Sequence, residues 1–384
     1  RGAGLWALDQ AGLAAVDGRS LLLADSALFA PDRLALFGVG GYGPAGFSDA
    51  ETTLLQQMAA LPIETMPAAA RMNLPDHIYQ SLANRFGTLV QQELEALAQR
   101  APLDLRVNSL KSTRAAAQQA LAQAGIVAMP TPFSPWGLRV ELAQSLANQP
   151  LYRDGVIEIQ DEAAQVAVLL SAAKAGEHVV DLCAGAGGKS LAMAAMMAGA
   201  GLPLAADVDG RRLDILRRRA VRAGLGEVPV YVLPAAGPQR QAALASLGAD
   251  GAMVFLDVPC TGSGTWRRNP DLRWRHDAGQ VAALAARQAV LIDEGVALLK
   301  PGGRLVYATC SLLQAENEDQ IAAALARHGN MMVLDYRHTW PAGNEGVCPT
   351  TASSRPDCLL MTPARHGCDG FFVAILTKTG CQHQ

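Results

Sequence analysis

The sequence predicts an α/β protein: a doubly wound, mostly parallel sheet preceded by a small α+β module and an N-terminal helical segment. Three observations predict it. From residue 157 onward, apolar runs of strand length alternate with stretches of helical period, the pattern of strands joined by crossover helices. The first strong strand of that region runs into a glycine-rich turn that opens directly into a helix, as a tight crossover requires. The chain has 384 residues, 50% of them apolar and 17% charged, enough for more than one core, so two or three domains are expected rather than one small module.

Residues 1–70 are rich in Ala, Leu and Gly and read as a few helices joined by a loop-like stretch over 38–46. The chain opens on Arg1 without the basic-then-apolar order of a secretory signal, and a trimmed N-terminus is expected. Residues 71–150 read as the α+β module. Helices are predicted over 77–86 and 90–98, a short strand over 104–108, and a helix capped by Ser112 or Thr113 that ends at Gly125. A second strand is predicted over 137–141, and the stretch 150–155 marks the boundary. Residues 151–384 form the doubly wound domain. Its strands are predicted over 178–182, 203–207, 228–232, 252–257 and 304–309, with helices over 162–173, 189–198, 211–223, 239–247 and 280–299, and a last strand over 371–376.

Composition sets limits on function. No apolar run reaches the roughly 18 to 20 residues that a membrane helix needs. The seven cysteines are odd in number and scattered, with no C-x-x-C pair, so neither a zinc site nor a disulfide framework is predicted. Reduced thiols in a cytoplasmic protein are expected, with no metal and no membrane partner. A net charge of −3 gives no global attraction to phosphate, so local basic clusters must carry any such contact. Six arginines between 211 and 222 read first as a solvated helix face. Arg267, Arg268, Arg273 and Arg275, interleaved with Trp266 and Trp274, favour contact with phosphates or bases.

Two motifs carry chemistry. The glycine-rich turn spans Asp181 to Ser190 and includes Cys183, Ala184, Gly185, Ala186, Gly187, Gly188 and Lys189. The next strand ends in Asp207, about twenty residues past the glycines, where a carboxylate can accept both ribose hydroxyls of a nucleoside. Lacking a pyrophosphate-type G-x-G-x-x-G, the pair suits the adenosine of S-adenosylmethionine at least as well as NAD. The second motif is a pair of cysteines at two strand ends, Asp257-Val-Pro-Cys260 and Thr309-Cys310. In an open parallel sheet both thiols would face one crevice. Carbon-5 of a pyrimidine is not nucleophilic until something adds to carbon-6, and a thiolate is a suitable adduct former. Asp257 can hydrogen-bond the cytosine edge as charge develops, and Lys189 either reaches the site or stands exposed at the start of its helix.

These residues resemble the Sun/Nop family of RNA cytosine-5 methyltransferases, in its bacterial ribosomal RNA small subunit methyltransferase B branch. Besides DLCAGAGGKS, DVPCTGSG and YATCSLLQAENE, the resemblance includes LRVNSLK from Leu105, DGVIEIQDEAAQ from Asp154, RRNPDLRW from Arg267, LLKPGGRLVYATCS and DGFFVAIL from Asp369. It implies a class I, Rossmann-like S-adenosylmethionine-dependent methyltransferase acting on RNA, with 16S ribosomal RNA as the substrate, acting as a monomer. Cys310 would be the nucleophile and Cys260 would assist release. Asp207 would hold the cofactor ribose, the loop from Cys183 to Lys189 its methionine end, and Asp257 would lie between cofactor and base. Arg267, Arg268, Arg273 and Trp274 would contact RNA, as would the module before the catalytic domain. An N-terminal, NusB-like RNA-binding part is expected to be absent or truncated.

One departure stands out: where the family carries an acidic residue after the third strand, this chain reads Leu233-Pro-Ala-Ala-Gly237. Weakened cofactor binding is expected, with main-chain amides or Asp209 compensating. A transfer RNA substrate and a non-catalytic ribosome-assembly scaffold are the competing readings. A DNA cytosine-5 methyltransferase would exchange the roles of the two cysteines, and the Thr309-Cys310 motif argues against it.

Overall fold

The computed structural model describes every residue except 14, 42, 141–145, 147, 342, 344, 345 and 381–384. Residues 1–95 together with 273–277 form one compact unit, and residues 96–272 with 278–384 form a second.

The first unit is helical. Helices Gly2–Gln10, Gly18–Phe29, Asp49–Ala59, Ala68–Arg71 and Asp76–Phe86 follow one another, with Ala7, Leu8, Ala24 and Met58 buried together. Two of them begin in reciprocal caps: Asp17 with Ser20, and Ser48 with Glu51. The division expected near residue 70 falls inside this unit, because Asp76–Phe86 packs with the short helix Ala68–Arg71.

The second unit holds two sheets. The smaller contains strands β1 (Leu103–Val107), β2 (Ala128–Pro130), β3 (Gly137–Val140) and β4 (Ile157–Ile159), in the order β2-β3-β1-β4 with every pair antiparallel. Helix Arg114–Gln123 starts at Thr113, whose hydroxyl accepts from the Ala116 N–H at 3.2 Å. Leu105, Leu121, Ile126, Leu138 and Ile157 form the core. Strand β4 lies beyond the boundary expected at 150, because its backbone pairs with β1, Leu105 opposite Ile159. Glu141, the expected end of the 137–141 strand, lies outside the described residues.

The larger sheet contains β5 (Val179–Asp181), β6 (Leu204–Asp207), β7 (Val230–Val232), β8 (Gly251–Asp257), β9 (Leu299–Thr309), β10 (Met331–Leu334), β11 (Leu359–Met361) and β12 (Phe371–Lys378). Its order is β10-β12-β9-β8-β5-β6-β7, with β11 paired to β12. Strands β5 to β9 pair in parallel, whereas β12 runs antiparallel to β9, β10 and β11. Strand β8 is buried along its length up to Asp257, as a strand covered on both faces must be. The order reverses beside β5, which has β6 on one side and β8 on the other. That reversal opens a crevice at the carboxyl ends of the strands, where open α/β sheets bind ligands. Among the described residues, no helix is long and apolar enough to cross a membrane.

Candidate active site at the carboxyl ends of the central strands

The glycine-rich loop leaves β5 at Asp181 and enters helix Gly188–Met196. Gly187 caps that helix at φ 83°, and a Cβ there would lie 2.5 Å from the Leu216 side chain. Gly185, at φ 54°, lies so close to the Arg212 guanidinium that a Cβ would collide with it. Both positions need glycine for conformation, and Gly187 needs it for space as well, since the exposed Arg212 guanidinium can move aside. The loop is braced from below: the Gly185 N–H donates to Asp207 Oδ2 at 2.8 Å, and Ala184 N–H to the Ala206 carbonyl at 3.0 Å. The Ala186 carbonyl accepts from Arg219 at 2.7 Å, and the Gly188 carbonyl from Gln160 at 3.3 Å. Asp207 Oδ1 accepts from the Asp209 N–H at 2.9 Å, which leaves lone pairs on both carboxylate oxygens for a ligand.

A cleft of about 440 Å³ joins this loop to the cysteines, with Asp207 and Cys183 lining one part and Asp257, Cys260 and Cys310 another. Cys260 follows β8 and Cys310 follows β9, two adjacent parallel strands, and their sulfurs lie 3.4 Å apart. The hydrogen bond with Cys310, together with burial, pushes the Cys260 thiol well above its ordinary pKa, so Cys260 holds its proton. Lys189 turns inward from the first turn of its helix. Its ammonium donates to Asp257 Oδ2 at 2.6 Å and lies 5.0 Å from the centre of the Phe371 ring. Burial alone would lower the Lys189 pKa, but the charge of Asp257, its hydrogen bond and Cys310 outweigh it, and the pKa is raised. Burial pushes Asp181 up to about 7, although Ser190 donates to it at 2.6 Å. Cys183 is pushed up by burial and by the carboxylates of Asp181, Asp257 and Asp207.

Both thiol loops meet one buried carboxylate that the sequence reading did not assign. Glu316 accepts from the Thr261 N–H at 3.0 Å and hydroxyl at 2.6 Å, the Ser311 hydroxyl at 2.5 Å and Gln288 Nε2 at 3.0 Å. Glu316 lies within the quoted stretch YATCSLLQAENE, but a carboxylate six residues past Cys310 carries no chemical signature of its own. The main chains are tied as well: Gly264 N–H donates to the Cys310 carbonyl at 2.9 Å, and Gly370 N–H to the Gly264 carbonyl at 2.8 Å.

Of the four side chains expected to contact RNA, Arg267, Arg268 and Trp274 make contacts within the protein and Arg273 is buried. Arg267 and Asp369 form a buried pair at 3.0 Å, each side chain 5% exposed. Arg268 bridges Asp369 at 2.6 Å and Asp161 at 2.8 Å. Arg273 is buried, and Trp274, in the first unit, donates to Asn73 Oδ1 at 3.2 Å with the Arg1 guanidinium 5.1 Å from its ring. Arg267, Arg268 and Trp274 pair with carboxylates and an amide distant in sequence, a pairing invisible along the chain. In the 211–222 cluster, Arg219 and Arg222 pair with Glu158, and Arg217 pairs with Asp214.

No acidic residue stands in the 233–237 turn after β7, and the nearly buried Arg240 lines the cleft. It is paired with Glu294 at 2.7 Å through both nitrogens and donates to the Pro234 carbonyl at 2.9 Å. Asp209 lines the cleft while capping helix Gly210–Ala223 through the Arg211 N–H at 2.9 Å. Among the described residues, no group of His, Cys, Asp and Glu is arranged to hold a metal ion.

Residues 167–377 match the family described as 16S rRNA methyltransferase RsmB/F, and residues 74–147 match the ferredoxin-like domain of RsmF/B-like methyltransferases. The chain is 33% identical over 317 residues to the probable ribosomal RNA small subunit methyltransferase B of Synechocystis sp., spanning 82% of this chain and 69% of that protein. It is 35% identical over 311 residues to the ribosomal RNA small subunit methyltransferase B of Salmonella typhi, spanning 78% of this chain and 68% of that protein. Among solved structures it is similar to a methyltransferase homologue from Pyrococcus horikoshii, with TM-score 0.69 and 26% identity over 81% of this chain and 97% of the other.

Proposed function

This chain belongs to the 16S rRNA methyltransferase RsmB/F family, and on that footing we propose that it methylates carbon-5 of a cytosine in 16S ribosomal RNA through a covalent Cys310 adduct. It is an RNA methyltransferase, and its cofactor is S-adenosylmethionine. The crevice fits that cofactor. Asp181 Oδ1 is buried and makes no hydrogen bond among the described residues, and Asp207, which lines the cleft, keeps lone pairs on both carboxylate oxygens that ribose hydroxyls can meet. Asp207 and the loop from Cys183 to Lys189 would hold the cofactor, with Asp257 between it and the base.

When bound, the cofactor supplies an electrophilic methyl group. The chain's own residues do the rest. The Cys310 thiolate adds to carbon-6 of cytosine and moves electron density to carbon-5. Asp257, paired with Lys189, hydrogen-bonds the cytosine edge as that charge develops. A base then takes the carbon-5 proton, the electrons of that C–H bond restore the ring double bond, the Cys310–carbon-6 bond breaks, and Cys260 assists release of the product. The target base has to leave its stack to reach these groups, and the sheet module within residues 71–150 would present the RNA.

The observation that carries this reading is the pair of sulfurs 3.4 Å apart in the same cleft as Asp207. Its test is Cys260→Ala expressed in cells and purified under denaturing conditions. RNA should remain covalently attached, the adduct should vanish in Cys260→Ala/Cys310→Ala, and sequencing the attached RNA should return 16S rather than transfer RNA. An adduct-free Cys260→Ala beside a wild type that methylates RNA would remove Cys260 from release.

A further inference from the structure

We propose that Glu316 is a positioning residue that holds the Cys260 and Cys310 loops in register, an inference that rests on the cysteine chemistry proposed above. The two thiols stand on separate strands 50 residues apart in sequence, and no covalent link fixes their separation. Each loop turns, one residue after its cysteine, onto the same carboxylate: Thr261 from one side and Ser311 from the other. The residue before Cys260 is tied in too, because Gln288 Nε2 donates both to the Pro259 carbonyl at 2.9 Å and to Glu316. Tyr307, three residues before Cys310, donates its hydroxyl to the Glu316 main-chain carbonyl at 2.6 Å.

The side chain touches neither sulfur, so it acts through the loops. Glu316 is fully buried. A carboxylate in such a place is unfavourable unless its lone pairs are met, and here four donors meet them. An apolar side chain could fill the same space but could not define the directions of Thr261 and Ser311. Oε1 receives the Thr261 N–H and Gln288 Nε2, donors that cannot reverse their roles, whereas Oε2 receives only the Thr261 and Ser311 hydroxyls, which can.

The test is Glu316→Leu in the full chain, which fills the space and removes every acceptor, with Glu316→Gln beside it as the conservative variant whose amide keeps all four contacts once the two hydroxyls reverse. Two rates are read. The first is bridge formation between Cys260 and Cys310 under diamide, followed by peptide mass spectrometry; the two thiols lose two protons and two electrons, and diamide is reduced to the hydrazine. The second is methyl transfer to RNA, with affinity for S-adenosylmethionine measured by calorimetry. The bridge should form about 10-fold more slowly and kcat should fall about 100-fold, while KM and cofactor affinity stay within about threefold, as misplacement of reacting groups predicts. Unchanged bridge and methyl-transfer rates, even with a lower melting temperature, would overturn the proposal and leave Glu316 a purely structural residue.

Should Glu316→Leu not fold, Ser311→Ala removes the arm on the Cys310 side alone and is read by the same two rates. The bridge rate does not depend on which thiol is the nucleophile. A slowed bridge beside an adduct-free Cys260→Ala would therefore keep the clamp and reject the covalent mechanism. An adduct that forms equally fast in Cys260→Ala and in Cys260→Ala/Glu316→Leu would do the reverse.

Discussion

Asp181 carries a pH dependence that can be read directly in stability. Burial pushes its pKa up to about 7, against an ordinary value of 3.8. Between those values the folded protein holds a proton that the unfolded chain has released. The contribution is therefore complete below pH 3.8 and is lost as pH rises through 7, with a slope of at most about 1.4 kcal/mol per pH unit. Asp181→Asn keeps an acceptor for Ser190 and removes the titration. The stability gap between variant and wild type, measured by urea denaturation, should widen from pH 5 to pH 7 and level off above; a gap constant across that range would refute the shift. At this scale the sequence named Cys260, Cys310, Asp207 and Asp257 because their chemistry and strand-end positions are local facts. It did not single out Glu316 or the Arg240–Glu294 pair, whose roles exist only through partners brought from elsewhere in the chain.

Strand ends and the loops after them decide how the site is assembled. Gly264 lies against the loop that leads into β12, and a Cβ there would collide with the Gly370 carbonyl. Gly264→Ala should destabilise the protein by about 1 to 3 kcal/mol, the usual cost of forcing atoms into packed space. Because Gly264 N–H donates to the Cys310 carbonyl, methyl transfer should fall as well. Gly329→Ala, with nothing within 4 Å of the added carbon, is the matched control. Equal melting temperatures for the two variants would contradict the packing argument. The strands β5, β6, β8 and β9 were legible because each is an apolar run of adequate length. Strand β2 was not, being three residues long and ending in Pro130 on the edge of its sheet, where proline is tolerated. The antiparallel direction of β12 was equally hidden, since an apolar run carries no direction.

Across the second unit, buried polar contacts join the small sheet to the large one. Asn108 Nδ2 donates to the Gly155 carbonyl at 3.1 Å and the Ala223 carbonyl at 2.9 Å. Glu158 on β4 pairs with Arg219 and Arg222 from helix Gly210–Ala223 and also acts on Arg106, which burial lowers to about 10. Glu158→Ala would leave these guanidiniums without their carboxylate and should cost about 3 kcal/mol in urea denaturation, as breaking a buried pair does. A loss within the scatter of surface substitutions would show that the pairing is solvated. Hydrophobic period, backbone freedom and side-chain chemistry are properties of neighbouring residues, so the doubly wound class, the glycine loop and the two strand-end thiols were legible along the chain. It took the folded chain to show that β4 completes the smaller sheet, that Arg267 pairs with Asp369 and Arg268 with Asp369 and Asp161, and that one carboxylate serves both thiol loops. Each of those depends on which distant group satisfies a buried charge or an unpaired strand, and sequence order does not specify that choice.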